Sequence, residues 1–150
     1  MSSSATSRSD RAVSTALGYV LTLGIATILI SGLLIAAGTA VEDRRDVTTR
    51  SSLDVAGERL ASNLMSADRL AETSGARAVS VAVDLPSRIA GNGYLVTVDP
   101  ANSTLVLVSD GPDVTVHVRF TTTTPVAAAT VRGGDLRVVL SAGRLEVRSV

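Results

Sequence analysis

Residues 12–41 carry no charged side chain. The run is built of Leu, Ile, Val, Ala and Gly, with Tyr19 and a few small hydroxyl residues: Ser14, Thr15, Thr22, Thr27, Ser31 and Thr39. Such hydroxyls bond back to the carbonyls of their own helix and so cost little in an apolar medium. As a helix the run extends roughly 45 Å at about 1.5 Å per residue. A bilayer's hydrocarbon core is about 30 Å thick. The spacing therefore predicts a transmembrane helix over 13–41, preceded by a Ser-rich, aperiodic polar tail over 1–12 that is expected to be disordered or removed.

With that much of the 150 residues committed, the remainder suits one small domain. The chain has no cysteine, which excludes disulfides, thiolate nucleophiles and Cys-ligated metals. Its formal net charge is zero, and all 14 basic residues are arginine. Nothing in that balance forms a basic patch for nucleic acid. Tyr19, Tyr94 and Phe120 are the whole aromatic set, too few for a platform on which bases or sugars stack.

After the charged cluster Glu42-Asp43-Arg44-Arg45-Asp46, apolar residues recur at three- and four-residue spacing: Leu53, Ala56, Leu60, Leu64, Ala67 and Ala71. Arg50, Asp54, Glu58, Arg59 and Asp68 fall largely elsewhere on the wheel. This predicts an amphipathic continuation over 42–75, so that one helix runs from about residue 14 to 73, with a break at the charged cluster as the alternative. From Ala78 the period becomes two. Val79, Val81, Val83 and Leu85 alternate with small or polar residues, as do Val114, Val116, Val118 and Phe120. Further apolar runs fall at 95–98, 105–108, 126–131, 136–140 and 145–147, with turn chemistry between them, including Asp110-Gly111-Pro112-Asp113, Ala142-Gly143 and Gly133-Gly134, the last read as a hairpin turn. The expected fold is α+β: a long N-terminal helix, transmembrane then amphipathic, packed on an antiparallel β-meander over 76–150. The expected core sets Leu53, Leu60 and Leu64 against Val114, Val116 and Val118.

The strongest local pattern is Asp10-Arg11-Ala12-Val13-Ser14-Thr15-Ala16-Leu17-Gly18, leading into the apolar run. It resembles the N-terminus of haloarchaeal type IV pilin-like proteins, in which a short charged tail, an Arg and a Gly or Ala precede Val-Ser-Pro-Val-Ile-Gly and an aliphatic helix. Arg11, Ala12, Val13, Ser14 and Gly18 match in register and Leu17 stands conservatively for Ile; Thr15 replaces the usual Pro, and Ala16 replaces Val. The resemblance implies a class III signal cut after Ala12 by a prepilin peptidase, so that Arg11, Ala12 and Val13 form the processing site and the helix stays on the mature chain. It also implies other pilin-like subunits as partners, met through the N-terminal helix. The departure at Thr15 points to a minor or accessory subunit. The same residues also suit an uncleaved single-pass anchor that presents its β domain to a protein partner.

Gly32, Ala36 and Ala40 repeat at four-residue spacing, as small residues do where helices approach closely in lipid. Arginine counts do not orient the span, because Arg8 and Arg11 lie on one side and Arg44, Arg45 and Arg50 on the other. Asn102-Ser103-Thr104 is an Asn-x-Ser/Thr sequon in an expected turn, a candidate N-glycosylation site. With the signal resemblance it favours the N-terminus inside and the domain outside the cytoplasmic membrane. The sole histidine, His117, sits on the polar face of a strand and is expected to be an isolated exposed side chain. Asp110 and Asp113 are expected to shape their turn rather than hold a cation. The sequence thus leads to a non-enzymatic subunit with no catalytic residues, no metal, no cofactor and no small-molecule substrate. Its partners are the lipid bilayer, a prepilin peptidase and further pilin-like chains of a surface filament.

Overall fold

The structure, a computed structural model, describes residues 4–74, 78–111 and 113–150, with side chains from residue 14 onward apart from Ser74. The element order is α1 (Ser4–Ser74), β1 (Ser80–Asp84), β2 (Tyr94–Asp99), β3 (Thr104–Ser109), β4 (Thr115–Arg119), β5 (Ala129–Arg132), β6 (Asp135–Ser141) and β7 (Arg144–Ser149). This is the expected α+β fold. Helix α1 has 71 residues and begins about ten positions before the expected start. No Pro or Gly precedes Gly18, so nothing in the sequence stops the helix in the tail. By contacts the chain forms two compact units, residues 1–43 and 44–150.

In the second unit the strands form two antiparallel sheets, ordered β4-β3-β2-β5 and β1-β6-β7. The meander reading holds for β2-β3-β4 and for β6-β7. Two pairings are long-range: β1 joins β6, with Val83 opposite Leu136, and β5 joins β2, with Val131 opposite Val96. The sheets are joined where the segment entering β5 meets β7: Ala127 N–H donates to Leu145 C=O at 2.8 Å, and Leu145 N–H donates to Pro125 C=O at 2.9 Å. Gly133-Gly134 is not a hairpin turn, since β5 and β6 belong to different sheets; it carries the chain from one sheet to the other. Gly133 is dictated by contact, because a Cβ there would sit 2.1 Å from Tyr94 Cζ. The β6–β7 hairpin does turn at Ala142-Gly143, with φ of 49° and 75° at the two loop residues. Positive φ at both is what a tight two-residue hairpin requires, and Ala142 accepts the steric cost.

One core runs through this unit. Leu53, Leu60 and Leu64 of α1 are fully buried, in one cluster with Val96, Val98, Leu105, Leu107, Val114, Val116, Leu136, Val138 and Leu145, while Val118 packs against it half-buried. The expected core is therefore present. Gly57 lies where helix and sheet approach closely: a Cβ there would lie 2.6 Å from Val118 Cγ2 and 3.0 Å from Leu107 Cδ1. A mid-helix glycine costs about 1 kcal/mol relative to alanine, and here it lets the helix seat on β3 and β4. Tyr94 fills the core under Gly133, and its hydroxyl donates to Pro86 C=O at 2.8 Å. Burial pushes the Tyr94 phenol up to about 12.

Candidate functional site

Two features of α1 carry functional information: its apolar surface over 14–41 and the polar ties that fix its later turns to the sheets. Within the first unit, every large apolar side chain of 14–41 faces outward. Leu17 is 71% exposed, Leu29 68% and Leu34 69%, on different sides of the helix. Isolated exposed leucines are ordinary, whereas a contiguous sleeve several turns long is not. The best window of this helix has a mean hydropathy of 2.4 with none of it buried, so it is long and apolar enough to cross a membrane.

The hydroxyls in this segment behave as their chemistry requires. Thr22 Oγ1 donates to Gly18 C=O and Thr27 Oγ1 to Leu23 C=O, each at 2.8 Å, and Thr39 Oγ1 donates to Ile35 C=O at 3.2 Å. None of these three needs water. At Gly18, Gly24, Gly32 and Gly38 an added Cβ would meet nothing within 4 Å. Among the described residues these glycines therefore pack against nothing; they leave notches in the sleeve. Gly32, Ala36 and Ala40 lie exposed along it. A shallow concavity on the sleeve lies over Gly24, walled by Leu17, Val20, Leu21, Ile25 and Ile28. The sequence signal for it is a glycine ringed by large residues three and four positions away. Arg11, Ala12 and Val13 lie in the helical backbone of α1, and their side chains fall outside the described ones.

In the second unit, Asp68 departs from expectation. Helical spacing puts it on the polar side, yet it is only 5% exposed. Its Oδ2 accepts from Thr123 N–H at 2.8 Å and its Oδ1 from Thr124 N–H at 2.9 Å. Burial pushes its carboxyl up, but hydrogen bonds from the Thr124 hydroxyl and the two N–H groups outweigh this and hold it below the usual carboxylate range. The Thr-rich link between β4 and β5 has few ladder partners, and a carboxylate supplies acceptors for its donors. A second tie joins Arg59 Nη1 to Asp84 C=O at 3.2 Å, at the end of β1. Together they fix the later turns of α1 to both sheets.

The other expected positions are spread over this unit's surface. His117 is exposed on the edge strand β4, in a shallow groove that it shares with Asp54, Glu58, Met65 and Arg119. Asp110 pairs with Arg132 Nη1 at 3.3 Å, and its N–H donates to Gly93 C=O at 2.8 Å. It shapes a turn, while Pro112 beside it lies outside the described residues. Among the described residues, no three His, Asp or Glu side chains are grouped so that they could hold a metal ion. Asn102 is exposed at the tip of the β2–β3 hairpin.

No curated protein and no solved structure matches the chain. A family described as being of unknown function matches residues 8–149, which take in the polar tail from Arg8, the apolar helix and both sheets together. The chain belongs to that family, DUF7266.

Proposed function

We propose that this chain is a pilin-like structural subunit, anchored in the cytoplasmic membrane by residues 13–41 with its N-terminus inside and its β domain outside, and assembled with like subunits through its apolar helix. The observation that carries this reading is the contrast along α1. Its first half presents apolar side chains all round, whereas its second half buries one stripe in the domain's own core. A helix that must satisfy lipid or neighbouring helices, then its own domain, is the design of a subunit held by its N-terminus. The notches at Gly24, Gly32 and Gly38 add to this, since among the described residues nothing packs into them and they would admit a neighbouring helix. The Arg11-Ala12-Val13 pattern supports processing by a prepilin peptidase, which would leave the helix on the mature chain. The absence of proline at Thr15 favours a minor or accessory place in such an assembly.

Mass spectrometry of the membrane-extracted protein tests the reading. A mature N-terminus at Val13 is expected. An intact Met1, or loss of Met1 alone, contradicts processing and leaves an uncleaved single-pass anchor presenting its domain to a protein partner. The chain has no cysteine, so a single Ala36→Cys variant reports assembly: disulfide-linked dimers in native membranes are expected, and their absence on oxidation contradicts helix-to-helix contact at that stripe.

A further inference from the structure

We infer that Asn102 is a covalent modification site, accepting through Nδ2 the sugar of a lipid-phosphate-linked oligosaccharide. This rests on the proposed placement of the β domain outside the membrane. The chain has three asparagines, Asn63, Asn92 and Asn102, and only Asn102 is followed two residues later by a hydroxyl residue. The structure puts it where a bulky substituent is tolerated: the four residues 100–103 linking β2 to β3 are all exposed, and none belongs to the core.

The turn itself is built by Asp99. Its Oδ1 accepts from Ala101 N–H at 3.0 Å and from Asn102 N–H at 3.3 Å, and its Oδ2 accepts from Asn102 Nδ2 at 2.7 Å. Thr104 Oγ1 donates to Asn102 C=O at 2.9 Å, which places the sequon hydroxyl against the asparagine's backbone. The side-chain amide has two protons, and a bond to Asp99 Oδ2 uses one. The other is available for replacement, so the hairpin keeps its turn once the sugar is attached. In the reaction the Nδ2–C1 bond forms as the C1–O bond to the lipid phosphate breaks. The phosphate leaves with the electron pair, and the displaced amide proton passes to the transferase or to water; nothing is oxidised or reduced.

The test uses the full chain from membranes of its native cells. Cleavage after arginine isolates Asn102 in the peptide 89–119. A glycan mass on that peptide is expected, lost in Asn102→Gln and Thr104→Ala and retained in Thr104→Ser. In parallel, Arg144→Cys on the exposed β6–β7 turn is challenged with a membrane-impermeant thiol reagent in intact cells. Labelling with an unmodified 89–119 peptide overturns the modification and leaves the orientation standing. Labelling only after lysis overturns both.

Discussion

At the scale of single residues, α1 buries two polar side chains within the domain, Asp68 and Thr49. Replacing Asp68 with Ala removes the acceptor for Thr123 N–H and Thr124 N–H, and hydrogen bonds to a charged group contribute about 1.5–3 kcal/mol. Chemical denaturation in detergent should show a loss of that order. The pH dependence follows in sign. The folded-state value is lowered, so the stabilisation is present above the ordinary carboxylate range and is lost as pH falls through the lowered value. Asp68→Asn should flatten that acid limb of the stability curve; an unchanged acid limb would mean that the carboxylate is not a tie. Thr49 makes the opposite case. It is fully buried in α1, and its Oγ1 has no hydrogen-bond partner among the described residues. Thr49→Val should therefore stabilise the domain by about 1 kcal/mol, read as a raised thermal midpoint. Gly133→Ala drives a methyl group into the Tyr94 ring, and overpacking of this kind costs about 1–3 kcal/mol. A wild-type denaturation midpoint in that variant would contradict the close approach.

At the scale of elements, the two faces of α1 within the domain make contrasting predictions. Leu60→Asp places an unpaired charge in the core and should abolish protease resistance, because isolated buried charge is among the costliest changes a fold can undergo. Val55→Asp, five residues earlier but 62% exposed, should leave resistance at the wild-type level. Equal sensitivity of the two would mean that the helix does not seat on the sheets as described. This face was legible in the sequence because burial repeats with the helical period: Leu53, Leu60 and Leu64 are spaced as the core requires. The strands were legible for the same reason, with a period of two. The pairing of β1 with β6, the pairing of β5 with β2 and the switch of sheets at Gly133-Gly134 were not. Periodicity states which side of a strand is buried but not which strand lies beside it. Asp68 escaped because its partners are backbone N–H groups 55 and 56 residues away, and no side-chain pattern announces them. At the candidate site the apolar run was plain from the absence of charge. The concavity over Gly24 depends on the rotamers of its neighbours, which the glycine spacing alone does not fix.

At the scale of the whole molecule, the chain divides into two units with different demands on their surroundings. Residues 44–150 bury a continuous core of their own. The described side chains of the first unit are almost all exposed, and from residue 14 to 41 they are only apolar or uncharged. Burying apolar area is favourable by roughly 25 cal/mol per Å², so a sleeve of this kind seeks lipid or other helices, while the domain needs neither. The reading of this chain as a membrane-anchored subunit depends on that division. The most direct test compares how the full chain and a variant lacking residues 1–41 distribute between membrane and soluble fractions. The full chain should sediment with membranes and require detergent for extraction. The shortened chain should remain in solution as a folded, protease-resistant monomer. A full chain soluble without detergent, or a shortened chain that aggregates or unfolds, would contradict the account.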